Sequence, residues 1–170
     1  VTLISGRVFI EPPERAELVR VESAKDMLEA VLACSGDIFI GVAAVSDYTM
    51  KEIKDQKIKK SGEAFTLELM PTVDILKTVA AQENKPFCVG FAAETEKGLE
   101  FARRKLTEKN IDLICMNDVS AQDTGFCSDD NALTIISKRG SERVLKKAPK
   151  TRLACDLIDI ILKELKKENA

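Results

Sequence analysis

The strongest constraint on what this chain can fold into is a set of three apolar runs, Ile38–Val45, Phe87–Ala93 and Ile111–Met116. Each has the length of a strand, and none alternates with polar residues, so each reads as a strand covered on both faces. Helical periodicity separates them. Ala24, Met27, Leu28, Val31 and Leu32 form one apolar face that begins at a capping-box-like Ser23 and Asp26 and stops near Gly36. Further helices are expected over Val73–Gln82, over roughly Glu96–Lys109 and over Leu153–Leu165. Shorter strands are expected at Val1–Ser5, around Leu18–Val21 and, on weak alternation, at Phe65–Met70. Ala132–Ser137 and Glu142–Leu145 read as a hairpin turning at Lys138-Arg139-Gly140. Buried strands that alternate with helices make a largely parallel sheet with helices on both faces. The predicted fold is therefore a three-layer α/β/α, Rossmann-like arrangement, with a mixed, mostly parallel sheet ending in a C-terminal hairpin.

The 170 residues are enough for one domain with a real core, and no linker divides them, so a single domain over 1–170 is expected. No apolar run is long enough to cross a bilayer. The chain opens at Val1 directly on an apolar strand, which reads as a fragment or processed product. A net charge of −2 argues against a general nucleic-acid binder. With one tyrosine, seven phenylalanines and no tryptophan, there is little material for base-stacking platforms. Histidine is absent, which excludes Ser-His and Cys-His nucleophile pairs and a His-ligated zinc. Catalysis must then rest on carboxylates, lysines, backbone dipoles or a hard cation. The five cysteines never form a C-x-x-C pair and read as free thiols in a reducing cytoplasm. Cys34, Cys88 and Cys115 lie in apolar stretches, where a thiol behaves as a small hydrophobe.

Two strands echo each other, placing Gly-x-Ala-Ala before a carboxylate at Gly41–Asp47 and at Gly90–Glu94. Small residues near a strand's carboxyl end let a ligand approach the backbone, at the edge where open α/β sheets bind ligands. They equally make room for a packed helix, and the pattern leaves the two readings about even. Lys51, Lys54, Lys57, Lys59 and Lys60 follow the Asp47 corner. Such a run is ordinarily a solvated face, but here it can also fold over the corner and bring ammonium groups onto phosphates. Lys105 and Lys109, four apart, share one helix face. Asp129 and Asp130 lack EF-hand spacing, and turn chemistry accounts for most of the loop Ser120–Asn131. Neither GxxxxGK[ST] nor GxGxxG occurs. From the residues alone, the site is a basic-rimmed, carboxylate-bearing cleft suited to a polyanion such as a nucleotide.

At these same residues the chain resembles the phosphopantothenate–cysteine ligases (phosphopantothenoylcysteine synthetases) of coenzyme A biosynthesis, in bacteria often the ligase domain of a bifunctional protein. The resemblance is carried, in order, by Val-Thr-Leu-Ile-Ser-Gly at 1–6, Ile-Phe-Ile-Gly-Val-Ala-Ala-Val-Ser-Asp-Tyr at 38–48 and Lys57-Ile58-Lys59-Lys60. It continues through Val-Gly-Phe-Ala-Ala-Glu-Thr at 89–95, Asp-Leu-Ile-Cys-Met-Asn-Asp-Val-Ser at 112–120 and Gly125-Phe126-x-Ser128-Asp129-x-Asn131. It implies CTP-dependent ligation of cysteine to 4′-phosphopantothenate through an acyl-cytidylate, with Mg²⁺ and lysines countering the gathering negative charge. It assigns nucleotide contacts to Gly41, Val42, Ala43 and Asp47, and makes Lys57 the catalytic lysine of a mobile loop. Phe91, Lys105 and Lys109 complete the implied pocket. Where the family has Lys-Asn-Pro-Asp, this chain has Pro71-Thr72-Val73-Asp74, so only the Asp matches. The resemblance also implies a cytoplasmic homodimer, an Asn-containing glycine-rich segment upstream of Val1 and, in bacterial relatives, a fused flavin-dependent decarboxylase. Two other readings are a nucleotide-binding or regulatory module without turnover and a dinucleotide-dependent oxidoreductase, the latter disfavoured by the missing GxGxxG.

Overall fold

In the computed structural model of the chain, residues 1–54, 56–59, 62, 64–94, 98–118 and 128–168 are described. The elements run β1 (Thr2–Ser5), β2 (Glu17–Arg20), α1 (Ala24–Ala33), β3 (Ile38–Gly41), β4 (Tyr48–Met50) and β5 (Leu69–Pro71). They continue α2 (Ile75–Ala80), β6 (Phe87–Glu94), α3 (Gly98–Glu108), β7 (Leu113–Asp118), β8 (Asp130–Ser137), β9 (Glu142–Pro149) and α4 (Lys150–Glu168). The chain divides into two compact units, one of Val1–Ser35 with Ala43–Ile75 and one of Gly36–Val42 with Leu76–Ala170.

The second unit holds the five-stranded sheet, in the order β3-β6-β7-β8-β9. β3, β6 and β7 are parallel, whereas β8 and β9 form the antiparallel hairpin. Four of the five strands thus point the same way, and the mixed, mostly parallel sheet expected from the sequence is what forms. Because parallel crossovers are right-handed and the sheet grows in one direction, α2 and α3 cover the same face. Leu76 of α2 lies against that face at Gly41 and Gly90, and Ala102 and Leu106 of α3 are buried. α4 covers the other face, where Leu153, Leu157, Ile160 and Ile161 meet Val89, Leu113, Cys115, Leu133 and Ile135. Each large aliphatic side chain fully buried there contributes about 1.5–3 kcal/mol, which makes this face the main store of stability.

The first unit is built differently. β1 and β2 form a parallel pair, and β4 and β5 an antiparallel pair. α1 begins at the expected capping box: the Asp26 amide donates to Ser23 Oγ at 3.1 Å, and the Ser23 amide donates to Asp26 Oδ2 at 2.9 Å. These bonds hold the Asp26 carboxyl below its ordinary pKa. The helix ends at Ala33, before Gly36.

Several boundaries differ from the sequence reading, each for a pairing reason. The run Ile38–Val45 is a strand only to Gly41, because β6 pairs with it only over Ile38–Gly41, and Val42 is 61% exposed. The weak strand Phe65–Met70 is displaced to Leu69–Pro71, where Tyr48–Met50, for which no strand was expected, supplies its partner. Asp130 and Asn131 belong to β8 rather than to the preceding loop. Cys34 is exposed at the end of α1, whereas Cys88 and Cys115 are buried as expected. Lys60, Glu96, Ser120 and the segment Gly125-Phe126-Cys127 lie outside the described residues.

Candidate functional site

The three parallel strands present their carboxyl ends at one edge of the second unit's sheet, the edge at which α/β sheets bind ligands. Gly41 ends β3 in register with Gly90, and β6 continues four residues further, through Phe91 to Glu94. A Cβ on Gly90 would stand 2.6 Å from Leu76 Cδ2 and 3.0 Å from Ile111 Cδ1, so the glycine there is demanded by helix packing. At Gly41 the nearest atoms would be Phe39 Cε1 at 3.5 Å and Leu76 Cδ1 at 3.6 Å, ordinary contacts that a side chain tolerates. The twin glycines therefore split. Gly90 makes room for α2, while packing does not require Gly41.

Of the other sequence-assigned residues, Phe91 is half-buried and packs against the core beneath α4. Lys105 is half-buried on the edge of α3 that also carries Ala102 and Leu106, and the half-buried Lys109 follows just past the helix end, its amide donating to the Lys105 carbonyl at 3.0 Å, whereas Arg103, Arg104 and Glu108 are exposed. The shared face expected from their spacing is present. Val42 is exposed just after β3. Ala43, Asp47 and Lys57 belong to the first unit and are exposed there. Asp47 is placed by its backbone, whose carbonyl accepts from the Thr72 amide at 2.9 Å and so extends the β4–β5 ladder. Lys51 and Lys54, by contrast, are engaged in ion pairs with Glu68 at 2.6 Å and Glu52 at 2.8 Å.

The two buried thiols are poor nucleophile candidates. Burial pushes Cys88 up to about 11 and Cys115 up to about 12, leaving both protonated at neutral pH. Among the described residues no group of three or more acidic or cysteine side chains is arranged to hold a metal. Ser128 Oγ accepts from the Asp130 amide, a local turn bond, while the Asp129 carbonyl accepts from the Lys150 amide beside the β8–β9 ladder; residues 120–127 of that loop lie outside the described residues.

Two polar arrangements escaped the sequence reading. At the amino end of the sheet, Lys85 Nζ donates to both oxygens of Asp112 at 2.7 Å, and the Cys88 amide donates to Asp112 Oδ2 at 2.8 Å. A charged residue inside the apolar run Ile111–Met116 was the available signal, since such a carboxylate needs a partner when buried. At the carboxyl end, Asn131 Nδ2 donates to Asn117 Oδ1 at 3.3 Å, and Asn131 is only 8% exposed. Nothing in local periodicity distinguishes that pair from turn residues.

Two concavities of the surface are lined by none of the residues assigned to the nucleotide from the sequence. One of about 560 Å³ is lined by Gly6, Arg7, Val8, Arg20, Val21 and Glu22 in the first unit. Another, of about 280 Å³, is lined in the second unit by Phe87, Asp112, Ser137, Lys138, Arg139 and Glu164. Its charged side chains are partnered: Asp112 with Lys85, Lys138 with Asn110, Glu164 with Lys167, and Arg139 with the Lys167 carbonyl. It closes the amino end of the sheet.

Residues 1–165 match the family described as the DNA/pantothenate metabolism flavoprotein C-terminal domain. The coenzyme A biosynthesis bifunctional protein CoaBC of Haemophilus influenzae is 42% identical over 98% of this chain and 42% of its own length. That of Bacillus subtilis is 44% identical over 95% of this chain and 40% of its own. The chain thus spans less than half the length of these curated relatives. Among solved structures, the C-terminal domain of a coenzyme A biosynthesis bifunctional protein CoaBC superposes with a TM-score of 0.79 at 35% identity. That superposition covers 99% of this chain and 75% of that one.

Proposed function

The chain belongs to the DNA/pantothenate metabolism flavoprotein C-terminal domain family, and from that premise we propose that it is the ligase part of a coenzyme A biosynthesis enzyme. The observation that carries the reading is its agreement, over 99% of its length, with the solved C-terminal domain of such a protein.

The reaction is CTP-dependent ligation of cysteine to 4′-phosphopantothenate. A carboxylate is a poor electrophile, so it first attacks the α-phosphorus of CTP, releasing pyrophosphate and forming an acyl-cytidylate. The cysteine amine then attacks the acyl carbon, loses a proton and expels CMP. Gly41, Val42, Ala43 and Asp47 hold the nucleotide, and Phe91, Lys105 and Lys109 complete its contacts. Lys57 meets the phosphates and stabilises the charge that develops on them, the kind of preorganised electrostatic aid worth about 10²–10³-fold in rate. Mg²⁺ supplies further charge neutralisation when bound.

The proposal includes a cytoplasmic location and a homodimer. No described helix is long and apolar enough to cross a membrane. The exposed Tyr48, Phe65, Leu67, Leu69 and Met70 on and around β4–β5 supply apolar area for a second copy. The proposal also includes a fused flavin-dependent decarboxylase and a glycine-rich segment that holds the acyl phosphate, both upstream in the whole protein.

The test is pyrophosphate release by the full-length protein with CTP and 4′-phosphopantothenate, and capture of the product by cysteine. Lys57→Gln is expected to lower kcat by about a hundredfold with a change of about threefold or less in KM for CTP. Unchanged turnover would remove Lys57 from the mechanism. Nucleotide binding without pyrophosphate release would mark a regulatory module instead.

A further inference from the structure

The parallel pair β1–β2 has a carboxyl edge of its own, and a cavity opens there, wholly within the first unit. Ser5 stands opposite Arg20 in the register, and the Val21 amide extends the ladder by donating to the Ser5 carbonyl at 3.0 Å. Gly6, Arg7 and Val8, which follow β1, line a space of about 560 Å³ with Arg20, Val21 and Glu22 at the end of β2. That volume suits a small metabolite rather than a lone ion. The carboxyl edge of parallel strands is also where open α/β sheets take ligands.

The lining is set apart by its charge. Elsewhere cations are matched: Lys51, Lys54, Lys85, Arg103 and Arg152 each face a carboxylate within 3.2 Å. Arg7 and Arg20 make no ion pair or side-chain hydrogen bond with any described residue, although Glu22 lines the same cavity. Acid is not in short supply, since 28 Asp and Glu stand against 26 Lys and Arg. Two guanidinium groups on one cavity repel each other, and a bound anion relieves that repulsion. Each offers a planar fork of donors that matches phosphate oxygens, and a phosphate monoester carries close to two negative charges at neutral pH. A Cβ on Gly6 would meet only the Val21 carbonyl, at 4.0 Å, so packing does not require glycine there and the backbone stays open to close approach. Val21, only 8% exposed, and the exposed Val8 supply an aliphatic wall. The start of α1 contributes no amide from Ser23 or Asp26, both taken by the capping box.

We propose that Arg7 and Arg20 hold the phosphate dianion of a small phosphorylated metabolite, whose aliphatic portion lies along Val8 and Val21. Glu22 accepts from a hydroxyl or amide N–H of the same ligand. None of the residues assigned to the nucleotide takes part, so the site stands or falls independently of the ligase reading.

The test is calorimetric titration of the full-length protein, without nucleotide, with n-propyl phosphate and with inorganic phosphate. Arg7→Gln and Arg20→Gln are each expected to weaken n-propyl phosphate binding about tenfold, with Tm unchanged because both side chains are exposed. Arg15→Gln removes an exposed charge on the same β1–β2 connection but outside the cavity, and should change the affinity by less than about twofold. Gly6→Ala should weaken binding without lowering Tm, since its methyl enters the cavity and meets no packed side chain. Tighter binding of n-propyl phosphate than of inorganic phosphate supports a metabolite. Equal affinities would overturn the metabolite and leave a site for free phosphate. No binding by the unsubstituted protein, or losses in Arg7→Gln and Arg20→Gln no larger than in Arg15→Gln, would overturn the site itself.

Discussion

Two ion pairs of nearly equal length separate the two units by the environment each one keeps. Lys85–Asp112, at 2.7 Å in the second unit, has side-chain exposures of 22% and 7%. Lys51–Glu68, at 2.6 Å in the first, has exposures of 54% and 71%. In the second unit the carboxylate also takes the Cys88 amide and sits beneath a closed core. In the first, charges meet in solvent, and the buried hydrophobic residues are only Val21, Val31 and Ile75 among those described. The contrast teaches that contact distance does not rank an interaction. Desolvation decides what is lost when it is broken.

The largest effect should come from breaking the buried pair. Asp112→Ala leaves the Lys85 ammonium and the Cys88 amide without their acceptor, and should cost about 3–5 kcal/mol in urea unfolding. A cost under about 1 kcal/mol would erase the distinction between the units. Next is the comparison of the paired glycines. Gly90→Ala forces a methyl into Leu76 and Ile111 and should destabilise by about 1–3 kcal/mol. Gly41→Ala meets only ordinary contacts and should stay within about 0.5 kcal/mol in the same unfolding experiment. If Gly41→Ala keeps its stability yet weakens CTP binding in calorimetry, the glycine serves the ligand. If it does neither, the nucleotide assignment of that position fails.

Smaller effects belong to the first unit. Lys51→Ala should cost less than about 1 kcal/mol, and less still at high salt, because both partners are largely solvated. The smallest is a pH effect at the α1 cap. Asp26 has a folded-state pKa below its ordinary 3.8. Its contribution is therefore fully present above that value and is lost as pH falls through the lower, folded one. The difference in Tm between the protein and Asp26→Ala should be steady near neutral pH and shrink in acid. A difference that grows on acidification would contradict the capping role.

The legibility of the sequence follows the same division. The elements of the second unit were readable because β6, β7 and α3 carry their period within a few residues, and burial on both faces leaves an unbroken apolar run. The hairpin β8–β9 was readable because its turn, Lys138-Arg139-Gly140, is local, with Gly140 at a positive φ of 86°. β4 and β5 were not legible as a pair. Three-residue strands some twenty residues apart give no period, and only their partnership makes them strands. Among the site residues, the shared face of Lys105 and Lys109 followed from helical spacing. The different fates of Gly41 and Gly90 did not, because they depend on Leu76 of a helix that neither strand's sequence mentions.

By itself, then, the sequence determined the alternation of buried strands and helices, the capping box of Ser23 and Asp26, and the ordered motifs that mark the family. These are encoded over a few residues, or by residue identity alone. Tertiary structure decided where β3 stops, that Cys34 is exposed while Cys88 is buried, that Asp112 answers Lys85, and that Asn117 is held by Asn131. Pairing, burial and charge compensation join residues far apart in the chain, and their outcome depends on which surfaces meet, which local periodicity does not contain.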